Sequence, residues 1–521
     1  MEGWEPELEE LRRRKEFAAK MGGEERVERQ RASGRFTVRE RIARLFDEAT
    51  FHETGGIAGK GTYGEDGELE EFLPANMVIG QGRIAGRRAV VQGDDFTVRG
   101  GAADAAIWEK MVYAERLAHD LRIPLVRLVD GTGGGGSVKS LEDMGFTYVP
   151  FIPGWELAVE NLSRVPVAAL ALGPVAGLGA ARVVQSHFSA IVKGTAQLFV
   201  AGPPVVAASM GESPDKEELG GARTQTKAGA VDNVAADEDD ALDQVKRFLS
   251  YLPGSVWEAP PLAAASDPAD RREEELLAIV PRERRKTYKA RTILDAVFDT
   301  GSVFEMGARF GRSEITALAR LGGRPVGVLA SDPAFAGGGL NADAADKLGR
   351  FVDICDQFRL PLVNFVDQPG FVIGTEAEKQ ATIRRGARAM AAVYQASVPT
   401  VAVLVRKVYG VAGAAHGNHS ALNLRYAWPS GDWGSLPLEG GIEAAYRREL
   451  EAAEDPVALR AEIEERLNLV RSPFRTAERF GVEEIIDPRD TRPLLCAWAR
   501  RAHELVAHER GGGPKARGPR P

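Results

Sequence analysis

One apolar stripe occurs twice along the chain. Ile107, Met111, Ala114, Ala118 and Leu121 follow the spacing of one helical face. Ala344, Leu348, Phe351, Cys355 and Phe358, each 237 residues further on, repeat it. Each predicted helix leads into a short strand of buried type, at 125–129 and 362–366, which ends in Asp before a Gly- or Pro-rich loop. Identities at the same offset surround these elements. Arg83, Gly86 and Arg87 match Arg320, Gly323 and Arg324; Gly100-Gly101 matches Gly337-Gly338; Lys110 matches Lys347; Asp130 matches Asp367 (367 − 130 = 237). A second run matches at 398 − 165 = 233, where Val165-Pro166 and Val398-Pro399 open apolar strands at 167–172 and 401–405. Both strands enter a turn of small residues, Ala176-Gly177-Leu178-Gly179-Ala180-Ala181 and Tyr409-Gly410-Val411-Ala412-Gly413-Ala414, and a helix is predicted after each. Even the lead-in recurs, as Leu45-Phe46-Asp47 and Val297-Phe298-Asp299. Matches this dense at one offset indicate an internal duplication of an α/β unit.

Changes in composition divide the chain. Residues 1–31 are charged and predicted helical; 32–252 form the first α/β domain; 253–289, rich in Pro and charge, read as a linker; 290–508 form the second domain; 509–521 read as a disordered tail. At 521 residues, with 44% hydrophobic and 27% charged positions, the chain is long enough for two large cores. A net charge of −8 argues against a nucleic-acid-coating surface. Two cysteines, Cys355 and Cys496, make no disulfide framework, and the start of the chain, Met1 to Arg14, is charged with no apolar run of about 18 residues, so a cytoplasmic location is expected.

The chemistry on offer is narrow. There is no G-x-S-x-G nucleophile elbow, no P-loop and no G-x-G-x-x-G dinucleotide motif with its acidic partner. The Gly-rich run from Gly131 to Gly136 reads as a loop beside a site, with a nucleotide cradle as the alternative. His416 and His419 stand three apart but lack a third ligand nearby, so no metal is expected. Asp94-Asp95 read as a turn or cap rather than a general-base pair. What recurs is the turn. A strand-to-helix turn of small residues points free N–H groups outward, which suits an oxyanion; a close helix–strand contact that needs small side chains is the other reading.

The order of several longer segments resembles a known family. GDDFTVRGGA from Gly93, ELGGARTQTKAGAVD from Glu218, PLVNFVDQPGFVIGTEAE from Pro361, RKVYG from Arg406 and YAWP from Tyr426 resemble the carboxyltransferase (beta) subunit of biotin-dependent acyl-CoA carboxylases, the group that includes propionyl-CoA and methylcrotonyl-CoA carboxylases. Residues 21–53 are similar to that family's N-terminal segment, and the resemblance spans about 20–510. It implies an α/β fold of two tandem crotonase-like (ClpP/crotonase) ββα-superhelix domains, acyl-CoA on the N-terminal domain and carboxybiotin on the C-terminal one. It also implies a homohexamer, a trimer of dimers, working with a biotin carboxylase and a biotin carboxyl carrier protein. No biotinylation sequence or ATP-binding block occurs in this chain. By the resemblance, the amides of Gly177 and Leu178 hold the acyl-CoA enolate oxygen and those of Val411 and Ala412 hold the biotin ureido oxygen. Gly179, Gly410, Gly413 and Ala414 line the substrate, and Gly370, Phe371, Gly374 and Thr375 the biotin. The implied reaction is loss of CO₂ from carboxybiotin, proton removal from the acyl carbon by the biotin enolate, and attack of the substrate enolate on CO₂ at the α- or γ-carbon, with no side-chain base and no metal.

The chain departs from the family pattern at the turns themselves. Leu178 and Val411 stand where glycine is usual, and Gly413-Ala414 where Tyr-Asp is usual, which opens the pocket or makes it less selective. The runs 431–441 and 131–138 also differ. Arg35, Lys60, Arg99 and Lys193 could meet CoA phosphates but are left unassigned. Three other readings compete: a decarboxylase or transcarboxylase subunit running in reverse; a crotonase-type hydratase or isomerase, which needs a carboxylate near the first turn that residues 180–184 do not offer; and a degenerate paralogue with a structural role.

Overall fold

In a computed structural model of the protein, the described residues are 3–101, 106–131, 141–142, 144–265, 267–417 and 422–508. The chain divides into two compact units between Glu258 and Ala259.

The first unit is built on a seven-stranded sheet whose strands lie side by side in chain order: His52–Thr54, Met77–Ile84, Arg87–Asp94, Leu125–Val129, Val167–Ala171, Phe188–Val192 and Asn233–Ala235. The first two junctions are antiparallel and the rest parallel. Parallel neighbours need a crossover, and the helix Trp108–Leu121 supplies one, burying Ala114 and Ala118 of the predicted stripe. The strands at 125–129 and 167–171 are buried along their whole length, as expected of strands covered on both faces.

The second unit repeats this plan. Its path is Phe304–Met306, Glu314–Leu321, Arg324–Ser331, Leu362–Gln368, Thr400–Tyr409, Asn423–Ala427 and Glu484–Ile485, again antiparallel twice and then parallel. Even the register repeats. Val90 lies opposite Leu125 as Gly327 lies opposite Leu362, and 327 − 90 and 362 − 125 are both 237. Leu125 lies opposite Val167 as Leu362 lies opposite Thr400, and 400 − 167 is 233. Helix Ala342–Gln357 is capped by the Asn341 side chain, which accepts the Ala344 N–H, and it buries Ala344, Phe351 and Cys355. The duplicated lead-in has a physical reason: Asp47 accepts the N–H groups of Ala85 and Gly86 at 2.9 and 2.7 Å, and Asp299 those of Gly322 and Gly323 at 3.0 and 2.7 Å. Each aspartate thereby ties the lead-in to the hairpin of its own sheet.

The charged N-terminal segment forms two helices, Glu5–Ala19 and Glu24–Ala32. Much of the stretch expected as a linker, 253–289, belongs to the second unit, where Leu276 and Tyr288 are buried in the core. Their apolar surface is what draws it in, against the composition of their neighbours. The tail expected at 509–521 lies outside the described residues. Among the described residues no helix is long and apolar enough to cross a membrane.

Candidate active site

In the first unit, strand Val167–Ala171 hands the chain to a short strand, Pro174–Ala176, paired in parallel with Gln197–Phe199. Gly177 follows with φ 58° and ψ −122°, a conformation that side-chain-bearing residues avoid. Helix Leu178–Val184 opens at once. The N–H groups of Leu178 and Gly179 have no helical carbonyl behind them and no acceptor among the described residues. The expected donor pair is corrected in one member: the Gly177 N–H is engaged by the Phe199 carbonyl at 3.2 Å, because the short two-stranded pairing runs into the turn. The open donors are therefore Leu178 and its neighbour Gly179. The Leu178 side chain, half-buried, lines a small solvent-open pocket with Met111, Trp155, Ala158 and Arg182.

Buried charged groups surround this turn. Arg182, one helical turn past Leu178, is buried and reaches Asp94 at 3.0 and 3.1 Å and Gln92 at 2.9 Å. Asp95 accepts the Thr97 N–H and hydroxyl at 3.0 and 2.6 Å. Burial pushes both carboxyls up, and for Asp94 the Arg182 charge pulls the other way. Asp95 is the expected turn cap; Asp94 is one half of a buried ion pair. Glu115 lines the same cavity as Leu178, so a carboxylate does stand near the first turn. It comes from a helix distant in sequence, and Arg127 and Asn161 hold it at 2.9 Å each. Asp130, at the end of its strand, is held by Arg41 at 2.8 Å and Arg35 at 3.1 Å. That engages Arg35, which also stacks over Phe96, while Lys60, Arg99 and Lys193 are exposed.

In the second unit the turn follows strand Thr400–Tyr409 directly. Gly410 has φ 60°, and Gly410–Ala414 forms a single helical turn. Gly177 and Gly410 are 233 residues apart, the offset of the strands that carry them. Val411 and Ala412 donate to no acceptor among the described residues. The Val411 side chain is 55% exposed, so it projects away from the packed side of the turn. Gly413 lies so close to Val408 that a Cβ would fall 2.9 Å from its carbonyl carbon, and Ala414 is exposed. Arg406 fixes the strand end by gripping Asp367 at 2.8 and 3.1 Å, and the Lys407 N–H donates to the same carboxylate at 3.0 Å. The divergent run after residue 430 takes up position here: Asp432–Gly434 pairs with Lys407–Tyr409, and Arg471 binds Asp432 at 2.6 Å.

The loop after Gln368 reaches the same turn. Gly370 has φ 122° and approaches the Tyr409 carbonyl, and Phe371 packs in one apolar cluster with Ala412, Leu340 and Ala389. Gly374 and Thr375 are exposed at the start of the helix Thr375–Lys379. Of the sequence-predicted residues, the second unit thus brings together Gly370, Phe371 and Gly410 to Ala414. His416 donates from Nδ1 to the Gly413 carbonyl at 2.5 Å; His419 and residues 132–138 lie outside the described set. Among the described residues no cluster of three or more His, Cys, Asp or Glu is arranged to hold a metal.

A further carboxylate beside the second turn escaped the sequence reading. Glu314 is the first residue of its strand and is 3% exposed, and burial pushes its carboxyl up to about 8 against the pull of Lys347. The duplication carried the signal: 314 − 237 is 77, and the first unit has Met77 there, likewise first in its strand.

Comparison with known proteins agrees with this layout. The family model for the carboxyl transferase domain matches residues 29–507. The propionyl-CoA carboxylase carboxyltransferase subunit of Haloferax mediterranei is 36% identical over 95% of both chains. The methylmalonyl-CoA decarboxylase subunit alpha of Veillonella parvula is 33% identical over 91% of both. A crystal structure of transcarboxylase 12S, a hexamer with methylmalonyl-coenzyme A bound, superposes with a TM-score of 0.85 at 32% identity over 99% of both chains. The fold is thus the tandem crotonase-like α/β architecture, and with the family model matching all but the ends of the sequence, the chain belongs to the carboxyl transferase family.

Proposed function

We propose that this chain is the carboxyltransferase subunit of a biotin-dependent acyl-CoA carboxylase, moving a carboxyl group onto an acyl-CoA. The observation that carries the reading is the pair of equivalent turns, one in each unit, each ending in main-chain donors that have no acceptor among the described residues. The amides of Leu178 and Gly179 would hold the thioester oxygen as it gains negative charge, with Gly177 setting their direction. Such donors act on charge that develops in the transition state, and each is worth about 10²–10³ in rate. The amides of Val411 and Ala412 fit the ureido oxygen of biotin: among the described residues they have no acceptor, and apart from its chain neighbours only the Ser435 carbonyl comes within 4 Å of where a Gly410 Cβ would stand. Carboxybiotin on a separate carrier supplies the carboxyl group when bound. Gly370 and Phe371 would shape the biotin side through their packing on the second turn, with Gly374 and Thr375 at its exposed rim, and Gly413 and Ala414 would face the acyl group. No side-chain base is assigned, since Asp94 and Glu115 are both engaged by buried arginines.

The partners in this reading are a biotin carboxylase and a biotinylated carrier protein, the assembly is a homohexamer and the location is the cytoplasm. A second reading, the same chemistry run as a decarboxylase or transcarboxylase, is favoured by the likeness to the Veillonella subunit. One experiment separates them. The purified chain is given ATP, labelled bicarbonate, a biotin carboxylase, a biotinylated carrier and a panel of acyl-CoA thioesters; in parallel it is given carboxylated thioesters and the unloaded carrier. Label in a thioester supports the forward role. CO₂ release alone supports the reverse one. Neither, in a folded oligomer, refutes both and leaves a structural role.

A further inference from the structure

One short exposed run in the second unit is strongly basic. Residues 282–289 hold five cations, Arg282, Arg284, Arg285, Lys286 and Lys289, against the single acid Glu283, a balance of +4 in a chain whose net charge is −8. The backbone of the run is tied to the strand that carries the second turn. The Lys286 carbonyl accepts from the Arg406 guanidinium at 2.8 Å, and that guanidinium lies 5.0 Å from the centre of the buried Tyr288 ring. Arg284 stands 3.6 Å from Asp432, whose strand pairs with Lys407–Tyr409 just before Gly410. From Arg406 to Gly410 is four residues of strand, about 13 Å. Apart from Tyr288, every residue of the run is exposed. Among the described residues Lys286 pairs with Glu283 at 3.1 Å, while Arg282, Arg285 and Lys289 make no ion pair or side-chain hydrogen bond. Like charges so close in sequence, on a backbone held in place, lie inside the screening length of roughly 8 Å at physiological salt and repel one another. An acidic surface laid on the run relieves that repulsion and is steered toward it from a distance. The negative charge of the whole chain disfavours a nucleic acid in this role. A protein that delivers biotin to the second turn must come to rest beside it, and the run stands off from the turn by a distance that a biotinylated lysine arm can span.

We propose that the run 282–289 is the landing surface for the biotinylated carrier protein, which sets an acidic face against Arg282, Arg285 and Lys289 while its biotin arm reaches along the strand to the amides of Val411 and Ala412. The inference rests on the carboxyltransferase reading and deepens it by naming the docking surface and the charge of the partner. It is tested by steady-state transfer from the carboxylated thioester that the full chain uses to two acceptors. One is a biotinylated carrier protein of acidic surface; the other is biocytin, which has the same arm and no protein surface. In the variant Arg282→Ser/Arg285→Ser/Lys289→Ser, kcat/KM for the carrier is expected to fall at least about tenfold at low ionic strength, with the loss shrinking as salt is raised. For biocytin it should stay within about twofold of wild type, and the KM for the thioester should not move. Arg282→Lys/Arg285→Lys, which keeps the charge, should retain carrier use. A carrier rate unchanged in the serine variant overturns the inference, and so does an equal loss with both acceptors, which would mean that the run shapes the turn itself. A rise in the thioester KM alone also overturns it and assigns the run to CoA phosphates. Use of biocytin by the wild-type chain with refusal of the acidic carrier overturns it too, and leaves the carboxyltransferase reading standing. Transfer to neither acceptor brings down that reading and the inference with it.

Discussion

Replacing Gly177 with alanine isolates backbone direction from everything else at the first turn. Among the described residues, its chain neighbours aside, a Cβ at this position would meet no heavy atom within 4 Å, so the substitution creates no clash with them. Its whole effect comes from φ 58° and ψ −122°, a region held by non-glycine residues only at a cost of roughly 1–3 kcal/mol. The protein can bear that strain, or it can relax the turn and swing the Leu178 and Gly179 amides away from their present direction. Relaxation at a donor pair should lower carboxyl transfer by about 10²–10³, equivalent to roughly 2.7–4 kcal/mol of barrier. Strain that is retained should appear as a lower melting temperature, roughly 2–4 °C per kcal/mol for a unit of this size. Gly194→Ala is the control. Gly194 also has a positive φ, 81°, and open space at its Cβ, but it lies in the loop between Phe188–Val192 and Gln197–Phe199. The expected outcome is a similar thermal loss in both variants and a large rate loss only in Gly177→Ala, read by label transfer and by differential scanning calorimetry on the same samples. A Gly177→Ala protein within a few-fold of wild-type rate would refute the oxyanion role of this turn. An equal rate loss in Gly194→Ala would show that general destabilisation explains the effect.

Ala412→Pro deletes one of the two open N–H groups of the second turn and should abolish carboxyl transfer while size-exclusion chromatography shows an unchanged oligomer; activity near wild type would remove Ala412 from the site. Asp367→Asn leaves the buried Arg406 guanidinium without its counter-charge and should cost about 3–5 kcal/mol in chemical denaturation, with the strand end before the second turn loosened. Glu314→Gln should change the pH dependence of stability. The folded-state affinity of Glu314 for its proton is raised, to about 8 from 4.5, so its favourable contribution is complete below the unfolded value and is lost as pH rises through the folded one. The variant should therefore gain on wild type as pH goes from about 4.5 to about 8 and hold a constant lead above that, in thermal melts across the range; a lead that does not change with pH would contradict the buried, uncharged acid.

The architecture was legible because duplication writes itself into the sequence. The offsets of 237 and 233 reappear as identical strand orders and identical registers, and the two small-residue turns both prove to be strand-to-helix starts with a glycine at positive φ. Periodicity likewise placed the helices Trp108–Leu121 and Ala342–Gln357, since a 3.6-residue apolar stripe is a local property of the chain. The stretch at 253–289 misled because composition counts polar residues, whereas the buried Leu276 and Tyr288, with Ile279 and Val280 packed beside them, join it to the second core.

The amino-acid sequence by itself determined the repeat, the two turns and the main-chain character of the candidate chemistry, because those depend on spacing and on where only small residues fit. Tertiary structure alone decided which amides stay open: Gly177 loses its N–H to Phe199, a partner supplied by another strand. It alone gave the carboxylates their roles, tying Asp94 to Arg182 and Glu115 to Arg127 while leaving Glu314 facing a cavity. A side chain's charge state and free valences are set by neighbours that arrive from anywhere in the chain, and no local pattern encodes that company.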